Sequence, residues 1–436
     1  MKRLIARVAA AAVTCGVAQG ASAADALSVP IDSHGWTGVT VGVRAGVGSG
    51  VGETDTDGGP TPPGSPSSVH FGEPAPSAGV FIGYDHEIVP GFVLGVEADA
   101  SWIGAEVLPA DPTTAEFMFR NNWTATVTGR VGVEVSPKTL LYAKGGYASI
   151  NAEASDQAGV FIIPEETQLD GYTAGGGIET MLSDRFSLRV EGTYTAAFDE
   201  FTPDSEFGPG SSYSYRPSNL AVSVGFAYRT PSPNGASKTY DAEPTRSWSG
   251  VYAGGHVGGL SSSTANGNLI SFTGEFGPVS TTELGYGGYA GGNLQVGDRW
   301  VIGLEADVTF SETEWDIVGQ ILPFPYAKSD HQGSVSARLG YLPVPNTMIY
   351  ARAGAGLMHI EPSEVGLWAD VGAESDYIQT ANAGVGVETM ITPNLLLRAE
   401  GVYTSALEQY RFPAGGSDLY VEPSSVEARV GTALFF

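Results

Sequence analysis

The chain is nearly devoid of cysteine, poor in basic side chains and without any apolar run long enough for a membrane helix. Its single cysteine, Cys15, lies in the first two dozen residues, so no disulfide framework can organise the rest. Ala12 and Thr14 around it do not suit a lipoprotein signal. Past the N-terminal segment no stretch approaches the roughly eighteen consecutive apolar residues that a spanning helix needs. Lys and Arg number 21 against 48 Asp and Glu, a formal net charge of −27. A nucleic-acid partner, which demands basic patches, is excluded on that ground. Apolar residues also fail to recur at the helical spacing, which leaves β structure as the class.

The N-terminus carries Lys2, Arg3 and Arg7, a short apolar stretch from Val8 to Val13, and Ala21-Ser22-Ala23. A basic region, an apolar region and a small-residue cleavage site make a secretory signal over residues 1–23. Removing those three basic residues takes the net charge from −27 to −30.

The rest of the chain is one unit stated twice. Trp36-Thr37-Gly38-Val39 returns as Trp248-Ser249-Gly250-Val251, and Gly95-Val96-Glu97-Ala98-Asp99 as Gly303-Leu304-Glu305-Ala306-Asp307. Leu188-Arg189-Val190-Glu191-Gly192-Thr193-Tyr194 returns as Leu397-Arg398-Ala399-Glu400-Gly401-Val402-Tyr403. The offset stays near 208 residues, so each copy has the size of a domain and is not a solenoid repeat. Copy one is placed at residues 33–230, copy two at 246–436, with the polar Pro/Gly-rich segment 231–245 as a linker.

Each copy shows eight segments of alternating polarity, near residues 36–48, 78–86, 92–101, 122–133, 140–149, 171–179, 186–195 and 219–229 in the first. Copy two repeats them near residues 248–259, 286–294, 300–310, 332–341, 348–358, 379–388, 395–404 and 425–436. Short connections such as Val135-Ser136-Pro137-Lys138-Thr139 alternate with long ones such as residues 49–77 and 150–170. Tight turns at one end and large loops at the other are the pattern of a transmembrane barrel. In Val93 to Asp99, Leu94, Val96 and Ala98 share one face while Gly95, Glu97 and Asp99 share the other. Apolar outside and polar inside reverses the rule of soluble β proteins, and lipid requires the sheet to close. The predicted fold is all-β, an antiparallel transmembrane β-barrel protein with two tandem eight-stranded barrels; one sixteen-stranded barrel is the alternative.

Beside Trp36-Thr37-Gly38, the motifs Gly129-Arg130-Val131-Gly132, Tyr142-Ala143-Lys144-Gly145-Gly146, Gly175-Gly176-Gly177-Ile178-Glu179 and Glu191-Gly192-Thr193-Tyr194 come in order. Arg338-Leu339-Gly340-Tyr341, Tyr350-Ala351-Arg352-Ala353-Gly354, Gly384-Val385-Gly386-Val387-Glu388 and Glu400-Gly401-Val402-Tyr403 answer them in copy two. In that order they resemble the eight-stranded, porin-like outer-membrane β-barrel family of alphaproteobacterial surface proteins. The resemblance covers nearly all of the chain after the signal. It implies an integral protein of the outer membrane of a Gram-negative cell. Family members usually have one barrel, whereas this chain has two. The ending Leu434-Phe435-Phe436 resembles the signal read by the barrel-insertion machinery, with Phe436 as its terminal aromatic.

Projecting the alternation inward gives Arg44, Glu97, Asp99, Arg130, Lys144, Glu179, Arg189 and Glu191 in copy one, four charges of each sign. Copy two gives Arg338, Arg352, Arg398 and Arg429 against Glu305, Asp307, Glu388, Glu400 and Glu427, with His256 in place of Arg44. Unpaired ions in a narrow lumen are costly, so each interior is expected to be a salt-bridged plug; a charged ring selecting ions in a wider channel is the other reading. The acidic excess then belongs to the long loops, with Glu165, Glu166, Asp170, Asp199 and Glu200 among its members. Trp102, Trp123, Tyr194, Trp300, Trp315 and Tyr403 are expected to form an interfacial girdle.

Catalysis finds no support. His34, His70, His86, His256, His331 and His359 share no recognisable spacing with a nucleophile or with metal ligands, and no glycine cluster precedes a helix. Glu53 to Gly58 resembles the start of a calcium loop, but Gly64 stands where the bidentate Glu is needed. No enzyme activity, cofactor or metal is expected. The expected role is structural and at the cell surface, in contact with lipid and lipopolysaccharide, with acidic loops displayed. An extracellular ligand is left open, and a porin for small hydrophilic solutes is the alternative.

Overall fold

The computed structural model describes residues 35–57, 68–104, 106–107, 119–136, 138–154, 165–202, 212–230, 246–266, 279–318, 323–362, 374–411 and 420–436. The signal at 1–23 and the linker at 231–245 fall outside them, as does much of the calcium-loop-like stretch. The first copy contains β1 (Gly38–Asp57), β2 (Ser68–Phe71), β3 (Pro74–Val89), β4 (Phe92–Ile103), β5 (Glu106–Val107), β6 (Phe119–Ser136), β7 (Thr139–Ala154), β8 (Glu165–Met181), β9 (Phe186–Ala197) and β10 (Ser212–Arg229). The second contains β11 (Gly250–Asn266), β12 (Val279–Val296), β13 (Trp300–Val318), β14 (Pro323–Val344), β15 (Thr347–Pro362), β16 (Asp376–Thr392), β17 (Leu395–Ala406), β18 (Tyr410–Arg411) and β19 (Tyr420–Phe435).

Both ladders close. In copy one the antiparallel order is β1-β3-β4-β6-β7-β8-β9-β10, and β10 returns to β1 through Thr40 opposite Arg229. In copy two it is β11-β12-β13-β14-β15-β16-β17-β19, with β19 returning to β11 through Tyr252 opposite Phe435. The sixteen-stranded alternative is excluded by these two closures. One rung, Phe71 opposite Val279, joins the two ladders.

Closure gives every central backbone donor a partner without help from water, as lipid requires. At the short-turn end Gly91 (φ 80°) and Gly297 (φ 66°) supply the left-handed residue, and Lys138 (φ 65°) takes it without being glycine. Its amide donates to Glu134 Oε1 at 3.1 Å, which holds that turn. On β4, Leu94, Val96 and Trp102 face outward and are exposed, while Val93, Glu97 and Asp99 are buried inside. At the short-turn end of the belt Trp300 packs on Tyr341 in copy two and Phe186 on Phe226 and Tyr228 in copy one, with Trp102, Trp123, Phe310 and Tyr403 exposed toward the loop end. Trp315 does not join them. Along β13 it shares the inward parity of Val301, Glu305, Thr309 and Thr313 and is fully buried in the lumen.

The two barrels touch through outward faces. Val41 is 50% exposed, yet Val190 is only 2% exposed because it packs with Ile178, Val387 and Ala399 of both copies. Each member has its counterpart in the other copy, so the contact has approximate twofold character. A Cβ on Gly192 would meet Ala428 at 2.7 Å, and one on Gly401 would overlap Val222. Nearer the short turns, Ser136 reaches Thr389 at 2.7 Å and Thr139 reaches Thr347 at 2.8 Å through their hydroxyls. Small residues that let backbones approach, with hydroxyl bonds across the seam, are how membrane segments associate where lipid removes the hydrophobic drive.

Candidate functional site

The inward positions of the strands build a ladder of ions in each lumen. At the floor of copy one Arg229 lies over the Trp36 ring, donates to the Trp36 carbonyl at 2.7 Å, and pairs with Asp85 at 2.9 Å and Glu179 at 3.1 Å. Arg130 bonds Glu179 and stacks on Tyr142, 3.8 Å from its centroid. One layer up, Glu97 receives Arg189 at 2.6 Å and Lys144 at 3.0 Å. Glu191 receives Lys144 at 2.7 Å, Arg44 at 3.3 Å and the Tyr142 hydroxyl at 2.8 Å, and Arg44 reaches Asp99 at 2.5 Å. The structure therefore joins all eight inward residues named from the sequence and adds Asp85 and Arg229.

Copy two rests on Trp248 and repeats the pattern with changes. Arg398 reaches Glu305 at 2.6 Å and Glu388 at 2.5 Å, and Arg338 reaches the same two at 3.1 and 2.9 Å. Arg352 pairs with Asp307 at 2.5 Å and Glu305 at 3.1 Å. Arg429 bridges Glu400 at 2.6 Å to Asp307 and Glu427, each at 3.3 Å. His256 donates or accepts at Thr309 Oγ1, 3.0 Å away, with Glu427 at 3.6 Å. Phe436 lies outside this network. Its side chain faces outward and is 62% exposed, and its amide donates to the Val251 carbonyl at 2.8 Å.

Asp85 and Arg229 were legible as inward by parity, since Phe81, Gly83 and Asp85 alternate along β3 and Gly225, Ala227 and Arg229 along β10. Register shows what replaced them. Gly38 faces Asp85 where Gly250 faces Asn293, and Thr40 faces Arg229 where Tyr252 faces Phe435. Both partners of the pair are absent from copy two, and no isolated charge remains.

Above the ions, the lumen of copy one forms a small chamber lined by hydroxyls and an amide, including Thr124, Thr126, Thr193, Thr195 and Asn219, with Arg44 and Lys144 at its base. Its loop end is filled by Phe119, Ile150, Leu169, Phe201 and Tyr215, with Phe119 stacked on Tyr215 at 4.6 Å. In copy two the buried side chains of Trp315, Ile360, Ile378 and Val421 occupy the corresponding level. Neither lumen is a water column among the described residues. Two histidines that no sequence spacing connects are brought together on the outside of copy two. Near the loop end of the β14–β15 hairpin the His331 and His359 rings stack on each other, and Asp330 bonds both.

Comparison with known proteins accords with this geometry. The 22 kDa outer membrane protein of Rhizobium leguminosarum bv. viciae is 28% identical over 151 residues, 34% of this chain and 64% of that protein. The 31 kDa outer-membrane immunogenic protein of Brucella melitensis is 26% identical over 180 residues, covering 38% and 74%. The 25 kDa outer-membrane immunogenic protein of Brucella abortus is 30% identical over 164 residues, covering 38% and 68%. The chain thus spans a little under two thirds of the first of these relatives. The family model described as outer membrane protein beta-barrel domain matches residues 8–229 and again 236–431. With two closed barrels belted by apolar side chains and matched almost end to end, the chain belongs to the outer membrane protein beta-barrel domain family and is an outer-membrane protein.

Proposed function

We propose that the protein is a non-conducting structural barrel of the outer membrane that presents an acidic surface to the medium and performs no catalysis. The carrying observation is the filling of both lumens. Buried cations and anions interlock across each barrel, and an apolar layer lies over them at the loop end. A solute would have to break several buried ion pairs at once, each break costing about 3–5 kcal/mol. That is incompatible with free diffusion.

The strand ends beyond the belt supply the second half of the reading. Glu165, Glu166, Asp199, Glu312, Glu314 and Glu408 are exposed there. Such a rim keeps neighbouring surfaces apart and offers oxygen ligands through which divalent ions bridge to lipopolysaccharide phosphates. The relatives named as immunogenic proteins are by that name met by an immune system, which fits a surface display. Insertion would be directed by the C-terminal strand ending at Phe436.

The experiment is planar-bilayer recording of the purified full chain. A flat trace at protein concentrations where incorporation is verified supports the closed barrels. Stable, repeated steps of porin size would replace this reading with a diffusion pore.

A further inference from the structure

His331 and His359 form a cluster with Asp330 and Tyr377 that the ion ladders do not involve. All four lie on the outer wall of copy two. His331 shares the outward parity of Val335 and Leu339, which are exposed at 59% and 54%, and His359 shares that of Leu357. A register slip between Lys328 and Gln332 turns Asp330 outward beside His331. Phe310, an aromatic of the loop-end girdle, lies 6.1 Å from the His331 ring. The cluster therefore sits where the apolar belt gives way to the headgroup region of the outer leaflet.

Its geometry converges on one point. The Nδ1 atoms of His331 and His359 each lie 2.7 Å from the same oxygen, Asp330 Oδ1. The two imidazoles stack at 4.9 Å. His331 Nε2 is 3.1 Å from the Tyr377 hydroxyl, so its outer nitrogen is already engaged and Nδ1 is turned toward the carboxylate. Fixing the tautomer through the far nitrogen is the usual outer-sphere support of a metal-bound histidine. Glu361 Oε1 stands 3.9 Å from His359 Nδ1, and Lys328 holds its other oxygen at 2.6 Å.

We propose that Asp330, His331 and His359 form a binding site for a divalent transition-metal ion of the zinc type, facing the outer-leaflet headgroups. The three donor atoms lie within 4.8 Å of one another. A tetrahedral ion with bonds near 2.0 Å holds its donors about 3.3 Å apart, so the two 2.7 Å separations from Asp330 Oδ1 would open slightly around it. Two imidazoles and one carboxylate suit zinc, whereas calcium and magnesium take oxygen ligands and gain little from imidazole. Three protein ligands leave a fourth position for water or an oxygen of a headgroup phosphate. All three side chains hang on neighbouring strands of one hairpin, Asp330 and His331 at the slip in β14 and His359 on β15.

The test is a zinc titration of the untagged full chain in detergent, read by competition with a fluorescent chelator. One equivalent should bind, and His331→Ala, His359→Ala and Asp330→Asn should each weaken it by at least about tenfold. Tyr377→Phe should weaken it less, through the loss of outer-sphere support. Excess Mg²⁺ should fail to displace the ion. These side chains face outward, so heat-modifiable gel mobility should be the same in every variant. No saturable equivalent, equal affinity in the His331→Ala/His359→Ala chain, or displacement by Mg²⁺ would each overturn the proposal.

Discussion

Arg229 meets Asp85 at 2.9 Å on the floor of copy one, and the positions that correspond to them in copy two hold Phe435 and Asn293. A buried pair is lost at little cost when both partners go together, and at high cost when one remains. Asp85→Asn alone should therefore destabilise copy one by about 3 kcal/mol, and Arg229→Phe alone by about as much. The double variant should be markedly more stable than the sum of the two single losses. Urea unfolding of the four chains of this cycle in detergent measures the coupling, and strict additivity would refute it.

Much of this was readable from alternation alone. The strand count, the closure and the inward charges follow from period two, because a residue's parity fixes its face. Parity fails where the ladder slips. Asp330 and His331 are neighbours yet both face outward, because β14 slips against β15 between Lys328 and Gln332. Trp315, by contrast, keeps the inward parity of Glu305 and Thr313, so its place near a strand end does not make it a girdle residue. The histidine pair was hidden for another reason. His331 and His359 are 28 residues apart, and only the pairing of β14 with β15 brings them side by side. The barrel contact left no mark at all. Val190 and Val387 are as suited to lipid as to a second barrel, since both environments are apolar.

Each ladder closes on itself, so each copy should fold without the other. Residues 35–230 and 246–436, refolded separately in detergent, should each give a compact band that heating shifts, together with β circular dichroism. Detergent would cover the faces around Val190 and Val387 that the barrels otherwise cover for one another. Failure of either half to fold would mean that the contact is required for closure.

The seam between barrels admits a sharper test. Thr139 and Thr347 approach at 2.8 Å through their hydroxyls, and the sequence holds no cysteine beyond Cys15. Cysteines at both positions should therefore cross-link on mild oxidation. A protease site placed within residues 231–245 makes the link visible, because the cut halves stay together on a non-reducing gel. Gly401→Val should sharply reduce this link, since even a bare Cβ there overlaps Val222. It should leave the heat-shifted mobility of copy two unchanged, because Gly401 faces away from its own lumen. An undiminished cross-link in that variant would show that the barrels do not pack along this line.

Phe436 separates insertion from stability. Its ring is 62% exposed on the outer face, while its amide makes the last rung to Val251. Replacing Phe436 with Ala removes the ring and keeps the rung, and so the refolded protein should lose no more than about 0.5 kcal/mol in urea unfolding. Delivery to the outer membrane in cells should fall far more than that figure implies, if the terminal aromatic is what the insertion machinery reads. Quantifying the membrane-inserted fraction beside the in vitro stability distinguishes the two roles. Equal insertion of the Ala variant would assign Phe436 to lipid contact alone, and a large loss of stability would make it a packing residue that its exposure does not betray.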